Sequence, residues 1–125
     1  MAVFQVNFMA KTLGRTVPLY VILPTDKTYL PGMPEREAGK PYKTLYLLHG
    51  VIGNYTDWIY GTRIQRWAEE KDLAVVMPSG DNASYLDQPW NCNWYGEFIG
   101  RELVEFTRKT FPLSRKREDT YIGGL

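Results

Sequence analysis

Hydrophobic residues alternate with polar ones at the start of the chain, and then the alternation stops. Phe4, Val6 and Phe8 fall on one side with Gln5 and Asn7 on the other, and after a turn containing Gly14 the pattern returns in Val17, Leu19, Val21 and Leu23. A period of two predicts strands with one buried face, and the intervening glycine predicts an antiparallel hairpin. Pro24 closes the second strand. Two later stretches are apolar without alternation: TLYLL, Thr44–Leu48, and LAVVMPSG, Leu73–Gly80, which Pro78 ends. Solid runs of this length, bounded by turn residues, predict strands buried on both faces, as in a parallel sheet.

A helical period fills the gaps between these strands. Ile64, Trp67 and Ala68 share one helical face behind Thr62 and Gln65, which are spaced as a capping box, so a helix is predicted from Arg63 to Lys71. After the aromatic loop DNASYLDQPWNCNWYG, Ile99, Leu103 and Phe106 recur at helical spacing. Glu97 lies in the first turn of that segment, Arg108 and Lys109 lie in the last, and Pro112 stands beyond it, predicting a helix over Gly96–Thr110. Thr120 to Ile122 begin a third parallel strand. Between the hairpin and the first parallel strand, TDKTYLPGMPEREAGKPYK is expected to be an exposed, mobile loop. The order hairpin, strand, helix, strand, helix, strand requires right-handed crossovers, and so an α/β fold with helices on both faces of the parallel strands.

Composition narrows the function classes. With 125 residues, 44% of them hydrophobic, the chain can bury the core of one domain. Fifteen basic against fourteen acidic side chains leave a formal charge of +1 with no basic stripe, which argues against nucleic acid or an acidic membrane surface as a partner. The single cysteine, Cys92, has no partner for an internal disulfide and is expected to be a small buried hydrophobe. No signal-peptide pattern opens the chain and no apolar run approaches a membrane span, so a cytoplasmic setting is expected.

The chemistry is expected where the parallel strands end. TYIGGL, Thr120–Leu125, brings two glycines to such an end, where the backbone must turn sharply or approach another backbone closely. On the glycines alone three readings stay open: a Gly-x-Ser-x-Gly nucleophile elbow beginning with Gly124 and Leu125, a glycine-rich phosphate turn, and an ordinary turn. LLHGVIGN, Leu47–Asn54, favours the elbow. An acyl-transfer site needs a second oxyanion donor from the loop after the first central strand, and His49-Gly50 lies there, with Gly50 and Gly53 free to tilt backbone N–H groups into a pocket. Val51 and Ile52 are the candidate donors, and His49, Gly50 and Gly53 form the supporting loop.

YLLHGVIGNYTDW, LAVVMPSGDN, WYGEFIGRELVEF and TYIGGL together resemble the esterase D family of α/β-hydrolases, which includes S-formylglutathione hydrolases, feruloyl and acetylxylan esterases and tributyrin-type short-chain esterases. The resemblance implies an α/β-hydrolase fold, with residues 1–125 as the N-terminal part of a single domain. It implies a chain that ends one residue before the nucleophilic serine, with the aspartate and histidine of the triad further on. It also implies a serine carboxylesterase acting on short-chain acyl esters, acyl groups on carbohydrates included, with no metal or organic cofactor and with a homo-oligomeric assembly. Residues 1–125 alone are expected to be inactive. An acyltransferase on the same machinery and a non-catalytic binding module are the alternatives. His49 is the only histidine, yet the resemblance puts the general base downstream and leaves His49 on the oxyanion loop. Asp57-Trp58 is read as a turn and packing anchor. Asp81 and Asn82, after the second parallel strand, either order a loop or meet a polar substrate. Trp94 and Tyr95, with Asp81, are the candidate substrate contacts.

Overall fold

A computed structural model describes residues 1–125. The two alternating stretches form β1 (Ala2–Ala10) and β2 (Arg15–Leu23), antiparallel in register from Ala2 opposite Leu23 to Ala10 opposite Arg15. Their turn uses Gly14 at φ +65°, a conformation glycine adopts without a Cβ penalty. The solid runs form β3 (Lys43–Leu48) and, after α1 (Asp57–Gly61) and α2 (Ile64–Glu70), β4 (Leu73–Pro78). The aromatic loop holds a two-residue ribbon, β5 (Asp87–Gln88) and β6 (Asn93–Trp94), around a 3₁₀ turn at Pro89–Asn91. One continuous helical segment follows as α3 (Tyr95–Glu97), a π-helical turn (Phe98–Glu102) and α4 (Leu103–Thr110), and β7 (Thr120–Gly124) comes last.

The sheet order is β1-β2-β4-β3-β7. β4, β3 and β7 are mutually parallel, whereas β2 joins β4 antiparallel, with Leu19 opposite Pro78 and Ile22 opposite Val75. The period explains the layers. Val17, Leu19, Val21 and Leu23 point to one face, where they meet Tyr46, Val76, Phe98, Ile99 and Leu103 in a cluster of 16 buried residues. Phe4 and Phe8 extend that face, Phe8 stacking on Phe106 at 4.0 Å and Phe4 tilting against Phe111 at 5.8 Å. On the other face Ile22, Leu47, Val75 and Met77 meet Ile59, Ile64 and Ala68 from α1 and α2 in a cluster of 7. Helices therefore cover both faces of the sheet.

Three local expectations change. The second helix starts at Ile64 with Arg63 as its N-cap, and the Thr62 hydroxyl accepts the Ile64 N–H at 3.2 Å, so the expected capping box gives way to a short hydroxyl turn. The last helix begins at Tyr95 and contains the π-helical turn, an interruption that hydrophobic spacing does not announce. Its final residue, Glu102, accepts from Lys11 N–H, Thr12 N–H and the Thr12 hydroxyl at 2.6 to 3.1 Å, clamping the hairpin turn. Burial works against the Glu102 charge, but those three bonds prevail and hold its carboxyl below the usual range. Cys92 is exposed, in a left-handed conformation at the end of the 3₁₀ turn.

Candidate active site

The parallel strands end together, so the loops after β3, β4 and β7 share one rim of the sheet. β7 reaches that rim beside β3, with Gly124 paired to Leu48. A Cβ at Gly124 would lie 2.4 Å from the Leu48 carbonyl oxygen, so only glycine allows this approach of backbone to backbone. Leu125 follows against the next loop, its Cβ 3.3 Å from where a side chain on Gly50 would begin. The elbow candidate Leu125 thus meets the oxyanion-loop candidate Gly50, and Gly124 beside it meets Leu48, the last residue of β3.

The loop after β3 is held from the loop after β4. His49 is 2% exposed, and its Nε2 accepts the Gly80 N–H at 2.9 Å. That acceptance leaves the ring proton on Nδ1, which donates to the Gly50 carbonyl at 2.8 Å. Both nitrogens are occupied by backbone, which makes His49 a tie between loops. Tyr85 donates its hydroxyl to the His49 carbonyl at 2.8 Å, and burial pushes that phenol up to about 12. The Tyr85 ring lies where a side chain on residue 80 would stand, 2.1 Å from the position of a Cβ, so Gly80 is fixed by this packing. Tyr55 N–H donates to Ser79 Oγ at 3.0 Å, and Ile52 N–H donates to Asn82 Oδ1 at 2.8 Å. Trp58 Nε1 reaches back to the Leu48 carbonyl at 2.9 Å, and Asp57 Oδ1 accepts the Asn54 N–H at 3.2 Å, so Asp57-Trp58, expected as a turn, opens the helix α1 and anchors it to this loop. Gly53 makes room for Asp57, whose Oδ2 lies 1.8 Å from the site of a Cβ there.

These ties frame a cleft of about 380 Å³ lined by His49, Gly50, Val51, Asp81, Asn82, Ser84, Tyr85 and Leu125. The two donor candidates differ in it. Ile52 N–H is already bonded to Asn82 and Ile52 does not line the cleft, whereas Val51 lines it and its N–H has no acceptor within the protein. Asp81 lines the cleft, but its carboxylate accepts from Arg15 Nη2 at 3.1 Å and from the Tyr95 hydroxyl. Arg15 also donates to the Tyr95 hydroxyl at 2.5 Å and to Asn93 Oδ1 at 2.8 Å, so Asp81 belongs to a network that fastens the aromatic loop to β2. Tyr95 is 2% exposed with its ring in the core, its phenol raised by burial and then by the Asp81 bond, and neither Tyr95 nor Trp94 lines the cleft. Sequence alone offered no sign of Tyr85, Ser79 or Gly80 as partners of the His49 loop, because each acts across 24 to 36 residues. No three His, Cys, Asp or Glu side chains gather as a metal site, and no helix is long and apolar enough to cross a membrane.

Known proteins share this fold. An acetyl esterase of Caldicellulosiruptor saccharolyticus is 45% identical over 130 residues, covering 100% of this chain and 47% of that protein. The structure of FphF, a fluorophosphonate-binding serine hydrolase of Staphylococcus aureus, matches with a TM-score of 0.82 at 35% identity, over 98% of this chain and 46% of that one. An S-formylglutathione hydrolase of Staphylococcus aureus matches with a TM-score of 0.79 at 36% identity, again over 98% of this chain and 46% of that one. The chain therefore spans about half the length of these relatives. The model of the Esterase family matches residues 10–124, from the end of β1 to the last residue of β7, and the chain accordingly belongs to the Esterase family, with the α/β architecture of its serine-hydrolase neighbours.

Proposed function

We propose that this chain forms the oxyanion-binding part of a serine carboxylesterase that hydrolyses short-chain acyl esters, those on carbohydrates included, through an acyl-enzyme. The observation that carries the reading is the Val51 N–H, which has no internal acceptor and belongs to a turn on the same cleft as Leu125. Backbone donors with no other partner are what a developing oxyanion requires, because they stabilise charge without reorganising. The kinship with an acetyl esterase and with a fluorophosphonate-binding serine hydrolase supports the same chemistry.

The only histidine in residues 1–125 is bonded on both ring nitrogens to backbone, so it is not free to act as a base. We assign the triad to polypeptide beyond Leu125, with the serine directly after it at the elbow. That serine's hydroxyl oxygen attacks the ester carbonyl while a histidine takes its proton, and the carbonyl oxygen becomes an oxyanion facing Val51 N–H. Collapse expels the alcohol, which receives the proton from the histidine. Water then repeats the attack on the acyl-serine, releasing the acid and restoring the serine. The N–H of the residue after the serine is the second donor.

The test compares Val51→Pro with Val51→Ala in the intact protein. Proline has no N–H, and losing one oxyanion donor costs about 10²- to 10³-fold in turnover. Alanine keeps the N–H and is expected to retain turnover within about threefold, since its lost side chain is a surface change. A well-folded Val51→Pro enzyme, checked by circular dichroism, that turns over a short-chain ester at the parental rate would remove Val51 from this role.

A further inference from the structure

The turn after β3 is held in a form that its own sequence disfavours. Gly53 donates its N–H to the Gly50 carbonyl at 3.2 Å, closing a four-residue turn with Val51 and Ile52 at its centre. Ile52 has φ +61°, and Val51 is not among the positive-φ residues. A positive φ at the third position alone is the type II pattern, a place that glycine or asparagine fills at little steric cost. Ile52 is β-branched, and for such a residue left-handed backbone is an outlier. The same four residues have an alternative in the type I turn. There the third residue returns to negative φ, the end-to-end hydrogen bond survives, and the central peptide between Val51 and Ile52 rotates by about half a turn.

The two forms differ in what that peptide presents to the neighbouring loop. In the observed form the Ile52 N–H faces Asn82 Oδ1 at 2.8 Å. In the flipped form the Val51 carbonyl takes its place, directing a partial negative charge towards the cleft that Asn82, Gly50, Val51 and Leu125 line. The Ile52 side chain is 88% exposed, so packing does not hold the strained conformation. The bond to Asn82 is the contact from outside the turn that reads the peptide's orientation.

We infer that Asn82 is a positioning residue for ester hydrolysis: its side-chain oxygen holds the Val51–Ile52 peptide with the N–H edge towards the cleft, against the preference of Ile52 for the flipped turn. This inference rests on the proposed reading of the cleft as an oxyanion site. It also separates chemically similar side chains. An aspartate offers only acceptors and supports the observed form alone, whereas asparagine can rotate its amide and donate to the Val51 carbonyl of the flipped form.

The experiment uses the intact protein, p-nitrophenyl acetate as probe, and four variants: Asn82→Leu, Asn82→Asp, Ile52→Gly and the double variant Asn82→Leu/Ile52→Gly. Removing the acceptor is expected to lower kcat about tenfold while KM stays within about twofold, because the substrate's ground state makes no use of the peptide. Asn82→Asp keeps the acceptor and adds a charge beside the cleft, so its crystal structure should show the central peptide unflipped even where that charge lowers kcat. Glycine at position 52 accepts positive φ freely, so the double variant recovers kcat to within about threefold of Ile52→Gly alone. A loss caused by general loosening of the loop would not be recovered by a glycine. Crystal structures of Asn82→Leu and of the double variant should show the central peptide flipped in the first and unflipped in the second. An unflipped peptide with parental kcat in Asn82→Leu overturns the inference, as does an equal loss with and without Gly at 52. A parent that is active and depends on Val51 N–H, beside an indifferent Asn82→Leu, overturns the inference alone. A parent without ester hydrolysis overturns the reading of the site and this inference with it.

Discussion

The two ends of the parallel strands are built from different materials. At the carboxyl ends, four of the six non-glycine residues with positive φ lie in two loops: Ile52 after β3, and Asp81, Ser84 and Tyr85 after β4. Those loops are cross-tied by single hydrogen bonds to backbone groups, and glycines at 53, 80 and 124 stand where a Cβ would collide. At the amino ends the contacts are ordinary. Lys27 pairs with Asp72 at 3.2 Å, Ser114 donates to Asp119 at 2.6 Å, and Asp72 is the one non-glycine residue with positive φ there. Backbone strain costs on the order of 1 to 3 kcal/mol per residue and persists only where the surroundings hold it. Its concentration at one rim shows where the molecule trades stability for geometry.

If that contrast is functional, substitutions at the carboxyl rim should cost activity beyond their cost in stability, and amino-end substitutions should not. The largest effect is expected from Gly124→Ala, whose Cβ would stand 2.4 Å from the Leu48 oxygen. Displacing β7 by even about 1 Å should cost roughly 10²-fold in turnover, with about 1 to 3 kcal/mol of stability lost by overpacking. Ester turnover and urea midpoints measured on the same preparation separate the two losses. A Gly124→Ala enzyme of parental rate would break the contrast at its strongest point.

Gly80→Ala is expected to rank next. The new methyl displaces the Tyr85 ring, which can swing outward, so the stability cost should fall near the low end of about 1 to 3 kcal/mol while turnover drops with the loss of the His49 tie. Tyr85→Phe removes only the hydroxyl and should cost about 1 kcal/mol. That contribution has a pH signature. The folded phenol titrates above its ordinary 10.0, at about 12, so its stabilisation is complete below pH 10 and disappears as pH rises through about 12. The difference in urea midpoint between parent and Tyr85→Phe should therefore be constant from pH 7 to 10 and shrink above it. The smallest effect is expected from Asp72→Asn, which keeps a residue tolerant of positive φ and deletes the ion pair with Lys27. It should cost under about 1 kcal/mol and leave turnover unchanged.

Much of this architecture was legible in the sequence, for reasons that differ by region. Alternation in β1 and β2 and the solid runs in β3 and β4 are local consequences of burial, so periodicity read them, whereas the Gly-Gly end of β7 was readable as a close approach of backbone to backbone. His49-Gly50 was readable as a loop at a strand end, which brought Val51 and Ile52 into view as a pair. Choosing between them needed Asn82, 30 residues away, whose bond engages one N–H and leaves the other without an acceptor. Trp94 and Tyr95 looked like substrate contacts because aromatic residues crowd that loop, but Tyr95 is drawn into the core by Arg15 and Asp81, 80 and 14 residues distant. The π-helical turn was invisible because an inserted residue leaves the apolar spacing on either side intact. Strand order was not encoded locally either, since nothing in β2 announces that its partner is β4.

The most direct measurement is a crystal structure of the intact protein carrying a serine-directed phosphonate, whose tetrahedral phosphorus and charged oxygen imitate the intermediate. The account predicts an adduct on a serine at the end of β7, with that oxygen about 2.7 to 3.1 Å from Val51 N and Ile52 N–H still bonded to Asn82. An adduct whose oxygen turns away from Val51, or is bound by Ile52 N–H with the Asn82 bond broken, would contradict it.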